Sequence, residues 1–79
     1  MTIAAALKEL SGNETNIRFV RLVTIATMFF GSPRIKGSHY IFKMPWSGDP
    51  RINLQKERGK AKYYQVRQLI SALERLKRS

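Results

Sequence analysis

Cysteine is absent from the 79 residues, which excludes disulfides and thiolate metal centres. Histidine occurs once, at position 39, so a ribonuclease mechanism built on a histidine pair is excluded as well. Acids are scarce. Glu9, Glu14, Asp49, Glu57 and Glu74 are the only five, and they lie scattered, without the spacing of a carboxylate cage for a metal ion. No stretch approaches the ~20 consecutive apolar residues of a membrane-spanning helix. The opening residues lack the basic start and long apolar run of a secretory signal, so a cytoplasmic chain is expected. A phosphate-binding glycine loop, a zinc-finger spacing and a nucleophile elbow are all missing.

Positive charge is what remains. Fifteen Lys and Arg against five acids give a formal net charge of +10. Such a field attracts polyanions, and each phosphate contact releases counterions. A chain this short buries only ~60% of the surface that its unfolded form exposes. One domain over residues 1–79 is therefore expected, with one compact core, one working surface and no deep cofactor pocket; no cofactor is expected.

Periodicity divides the chain into helical and alternating halves. Ile3, Leu7 and Leu10 fall on one side of a short helix from Thr2 to Leu10, stopped by Ser11-Gly12. A second helix is expected from about Ile17 to Phe30. Its stripe is Phe19, Leu22, Val23, Ala26, Phe29 and Phe30, with Asn16 as cap and Gly31-Ser32-Pro33 as stop. From Pro33 the period becomes two. Arg34 to Lys36 reads as a strand, Gly37-Ser38 as a tight connection, and Tyr40, Phe42 and Met44 alternate with His39, Ile41 and Lys43. A loop from Pro45 to Pro50 carries Trp46, and Ile52 and Leu54 then alternate with Arg51, Asn53 and Gln55. After a basic loop from Lys56 to Lys62, a last helix over Tyr63 to Lys77 buries Val66, Leu69, Ile70, Leu73 and Leu76. The order α-α-β-β-β-α predicts an α+β domain, with helices on one face of a small antiparallel sheet and the other face open.

His39 belongs to that open face, beside a hairpin connection and flanked by cations. Imidazole has an unperturbed pKa close to neutral pH, and RNA can be cut without a metal when its own 2′-hydroxyl attacks the adjacent phosphate. That route needs proton transfer at an attacking or leaving oxygen, and positive charge at the developing phosphorane. A histidine with Arg34, Lys36 and Lys43 nearby supplies both, while Lys60 and Lys62 are candidates for gripping the backbone. Taken singly, each of these lysines is as often a solvated surface charge, and a strand histidine is usually structural. Gly37 and Ser38 can approach a phosphate, although closing the turn is the simpler role for Ser38. Tyr40 and Phe42 can stack on bases, but their alternation with His39 makes core packing the simpler expectation. Trp46 can contact a base or a partner but packs more simply on its own domain.

Residues 17–76 resemble the HicA toxin family of bacterial toxin–antitoxin systems. The resemblance rests on an amphipathic helix followed by Arg-Ile-Lys-Gly-Ser-His-Tyr-Ile-Phe (34–42), a hairpin containing Pro and Gly, Gly59-Lys60-Ala61-Lys62, and Tyr64-Gln65-Val66-Arg67-Gln68 opening the last helix. It implies a double-stranded-RNA-binding-domain-like α-β-β-β-α sandwich over residues 17–77, with residues 1–12 as an added N-terminal helical extension. It also implies ribosome-independent cleavage of mRNA, His39 as the catalytic residue, and neutralisation by a HicB-type antitoxin protein. Family members commonly carry proline before Tyr-Gln-Val, where this chain has Tyr63. The expected enzyme is a metal-independent endoribonuclease leaving 2′,3′-cyclic phosphate and 5′-hydroxyl ends, with the choice between general base and general acid open. A non-catalytic module for double-stranded RNA is the competing reading. A DNA-binding helical module is disfavoured, because the sheet interrupts any helix-turn-helix pairing.

Overall fold

The computed structural model describes residues 1–79 and contains three helices and a three-stranded antiparallel sheet. Chain order is α1 (Ile3–Leu10), α2 (Phe19–Phe30), β1 (Arg34–Lys36), β2 (His39–Lys43), β3 (Arg51–Gln55) and α3 (Tyr63–Arg78). The sheet runs β1-β2-β3. No helix is long and apolar enough to cross a membrane.

Local chemistry accounts for most boundaries. Thr2 caps α1, its hydroxyl accepting the Ala5 N–H at 3.0 Å. Gly31, at φ +83°, closes α2 and donates its N–H to the Thr27 carbonyl. Gly37-Ser38 joins β1 to β2 as a two-residue hairpin, since Lys36 faces His39 across the turn. Gly37 takes φ +60° in the first central position, the pattern in which glycine is favoured. The β2–β3 hairpin closes through Met44 N–H to the Pro50 carbonyl at 3.1 Å.

The second helix starts at Phe19, two residues later than the expected start near Ile17, and Asn16 is not its cap. Arg18 holds the cap position in extended conformation, with no side-chain hydrogen bond to the helix. Tertiary pairing overrides the local signal here. Ile17 accepts the Ala61 N–H at 2.8 Å, and the Phe19 N–H reaches the Gly59 carbonyl at 2.9 Å. Residues 17–19 thus lie against the basic loop as a short bridge, Arg18 opposite Lys60. The Asn16 side chain turns to that loop as well, accepting from Lys60 Nζ at 3.3 Å.

One hydrophobic core joins all the helices to the inner face of the sheet. From α2 it takes Phe19, Leu22, Ile25 and Ala26; from the sheet segment Phe42, Met44, Ile52 and Leu54; and from α3 Val66, Leu69, Ala72 and Leu73. Helix α1 adds Ala6 and Leu10, both fully buried. Tyr40, half-buried, meets Phe19 edge to face at 5.2 Å between ring centroids. Ile70 and Leu76, expected inside α3, are only half-buried, whereas Gln65 is buried. Its amide donates to the Gln55 carbonyl at 3.2 Å and ties the start of α3 to the end of β3.

Candidate functional site

Antiparallel pairing decides which side chains share the open face. Lys36 stands opposite His39 and Arg34 opposite Ile41 across β1–β2, while Ile41 opposes Asn53 and Lys43 opposes Arg51 across β2–β3. Alternation of side chains along a strand then places Arg34, Lys36, His39, Ile41, Lys43, Arg51, Asn53 and Gln55 on one side. The core residues Phe42, Ile52 and Leu54 occupy the other. The expected grouping of His39 with Arg34, Lys36 and Lys43 is therefore present on one surface.

His39 is half-buried and open to solvent on this face. Its Nδ1 lies 3.1 Å from Oδ1 of Asn53. An amide oxygen only accepts, so this contact requires the proton on Nδ1. In the neutral ring Nε2 is left with its lone pair, in the form of a general base. Asn53 stands on the same face as the sequence pattern requires, but its pairing with His39 is not visible in that pattern. The two residues are offset by two positions across β2–β3, since His39 stands opposite Gln55, and only the register makes them diagonal neighbours.

On the same face, Arg34, Lys43 and Arg51 line an open cleft of about 530 Å³ together with Ile41 and the Gly31-Ser32 end of α2, a lining that does not include His39 or Lys36. Arg51 is held by Asp49, Nη2 to Oδ2 at 3.1 Å. Arg34, Lys36 and Lys43 form no salt bridge, so their charge is available to a phosphate. Gly37 and Ser38 are exposed at the turn preceding His39. The Ser38 carbonyl accepts the Lys56 N–H at 2.8 Å, which anchors the turn to the end of β3.

Lys60 and Lys62 are placed differently. They line a separate cleft of about 230 Å³ with Glu57, Arg58 and Ala61, to which the sheet contributes no side chain. Lys62 is paired with Glu57 at 3.0 Å, and Lys60 is bonded to Asn16. The two lysines therefore belong to a second basic patch and do not line the cleft of Arg34 and Lys43. Nowhere do three His, Asp or Glu side chains gather in a way that could hold a metal ion.

Trp46 packs on its own domain, as the simpler reading has it. Its ring meets Phe30 at 6.1 Å and lies under the Arg75 guanidinium at 4.5 Å. No protein-family model matches this chain, and neither a curated protein nor a solved structure shows significant similarity to it.

Proposed function

We propose that this chain is a metal-independent endoribonuclease of the HicA kind, cleaving mRNA in the cytoplasm and restrained by a HicB-type antitoxin. The observation that carries this reading is the solvent-open imidazole of His39, its Nδ1 against Asn53 Oδ1, on one strand face with the unpaired cations Arg34, Lys36 and Lys43. The double-stranded-RNA-binding-domain-like arrangement belongs to the same reading. Its support is the order α2-β1-β2-β3-α3, with the helices on a single face of the sheet.

In the proposed reaction Nε2 of His39 takes the proton from a ribose 2′-hydroxyl. The freed oxygen attacks the adjacent phosphorus, and the bond from phosphorus to the 5′-oxygen breaks. That oxygen leaves with a proton from solvent or from the same ring, giving a 2′,3′-cyclic phosphate and a 5′-hydroxyl. Arg34 and Lys43 stabilise charge on the phosphorane, an effect largest when donors are already in place. The antitoxin has to cover His39 or present acids to the surrounding cations.

The test is digestion of RNA in chelator by wild type and by His39→Ala. General acid–base catalysis contributes roughly 10²–10⁴-fold, so His39→Ala is expected to lose at least about 10²-fold in cleavage while still binding RNA. Equal cleavage by both proteins would refute the assignment. Binding without any cleavage by wild type would instead make the chain a reader of double-stranded RNA. A purified antitoxin is expected to abolish cleavage when mixed with the toxin.

A further inference from the structure

The largest concavity lies away from His39, between α3 and the β2–β3 hairpin, with a volume of about 620 Å³. That is within the ~300–1,000 Å³ range of sites that hold small organic groups. Its walls combine flat rings with cations. Tyr63 and Tyr64, on the first turn of α3, are about half-exposed at 52% and 48%. Their rings meet edge to face at 5.9 Å. The Arg67 guanidinium lies 5.2 Å from the Tyr63 ring centroid, and Arg75 covers Trp46. Met44 and Ile52 supply apolar surface, and no carboxylate lines the groove. Arg51 lines both this groove and the cationic cleft beside Arg34 and Lys43. The two sites are therefore continuous around the edge of β3.

We propose that this groove is a base-stacking subsite for single-stranded RNA, receiving unpaired nucleotides of the strand whose phosphates cross the His39 face. The proposal rests on the nuclease reading for its substrate and narrows that substrate to unpaired RNA. Exposed aromatic planes and arginine planes together stack nucleobases without sequence preference. Bases inside an A-form duplex are stacked on one another, and side chains cannot read its narrow major groove. Three arginines and no carboxylate along the walls decide against a cationic ligand and suit a base that carries an adjoining phosphate. Flat ring surfaces, with the arginines laid across them, favour a base over an acidic peptide, which would be met best by cations projecting freely.

Trp46 is the only tryptophan, so its fluorescence reports on this groove without a label. The experiment titrates the full-length His39→Ala protein with oligo(U) RNA, with an RNA duplex of equal length, and with a polyglutamate peptide. Oligo(U) is expected to change Trp46 emission and to bind more tightly than the duplex. Base–aromatic stacking is worth enough that Tyr64→Ala should weaken oligo(U) about 5- to 150-fold, whereas Tyr64→Phe keeps the ring and should retain affinity. Arg67→Gln, at an exposed position, should weaken oligo(U) without disturbing the fold. Unchanged oligo(U) affinity in a folded Tyr64→Ala protein and in Arg67→Gln would overturn the proposal. A response of Trp46 to polyglutamate but not to oligo(U) would overturn it in favour of an acidic protein partner. Cleavage does not enter this measurement. Failure of the nuclease reading shows in the digestion of wild type against His39→Ala, whereas failure of the groove shows in Trp46.

Discussion

Asn53 limits what His39 can do more than any cation on the face. With Oδ1 held at 3.1 Å from Nδ1, the neutral ring keeps one tautomer and one orientation, and Nε2 is the nitrogen that the proposed reaction uses. Removing the amide leaves the ring free to exchange tautomers and to rotate, without deleting the imidazole. A net hydrogen bond of this kind contributes about 0.5–1.5 kcal/mol. Asn53→Ala is therefore expected to lower kcat about 2- to 10-fold with KM unchanged, and since Asn53 makes no contribution to the core, the loss of stability should not exceed that of the one bond, about 0.5–1.5 kcal/mol. Steady-state kinetics on a short RNA separates these outcomes, because an effect confined to kcat marks an interaction that matters in the transition state. A matching rise in KM would place Asn53 in substrate binding instead. His39 itself is legible from residue type and neighbours, but its partner is not. Fourteen residues separate the pair, and no local pattern encodes a diagonal contact between strands.

Among the elements, α1 is where sequence and structure weigh differently. Read as an extension of a core at residues 17–77, it nevertheless places Leu10 and Ala6 at zero exposure in the same core as α3. Leu10→Ala should then cost about 2–5 kcal/mol, a large part of the roughly 4–12 kcal/mol available to a domain of this size. A urea midpoint shifted by that amount, with the slope unchanged, would check it. Helix α1 also reaches α2 through a two-point ion pair, Arg21 Nε and Nη2 to the Glu9 carboxylate at 2.6 and 2.8 Å. The hydrogen bonds from Arg21 hold the Glu9 carboxyl below its ordinary value of 4.5. A lowered folded-state value means that this stabilisation is fully present above about pH 4.5 and is lost as pH falls through the lowered value. Thermal melts of wild type and Glu9→Gln should accordingly differ at neutral pH and converge under acid. The strands were legible because alternation of Tyr40, Phe42 and Met44 with His39, Ile41 and Lys43 leaves one register that buries the apolar set. The start of α2 was not, since the bonds that unwind Ile17 and Arg18 come from Gly59 and Ala61, far along the chain. Gln65 escaped for a related reason. Polarity argues for the surface, and the bond from its amide nitrogen to the Gln55 carbonyl offsets only part of the cost of burial, since Oε1 has no partner.

At the scale of the whole molecule, a net charge of +10 attracts polyanions of any kind and does not say where the proposed RNA strand runs. Three of the fifteen basic residues are held in ion pairs, Arg21, Arg51 and Lys62. Apart from Lys8 on α1, the others divide among the His39 face, the loop around Lys60 with Arg18 opposite it, and the surface of α3. Salt dependence can tell these regions apart, because each phosphate contact with a single strand adds about 0.7 to the slope of log affinity against log salt. If the strand crosses the His39 face, removing both Arg34 and Lys43 as glutamines should lower that slope by about 1.4 for any RNA sequence. Lys60→Gln, in a cleft to which the sheet contributes nothing, should leave it unchanged for oligo(U). The reverse result, a slope that responds to Lys60 and ignores Arg34 and Lys43, would put the backbone along the loop between β3 and α3. The proposed placement of Arg34 and Lys43 at the phosphorane would then fail, however basic the rest of the surface.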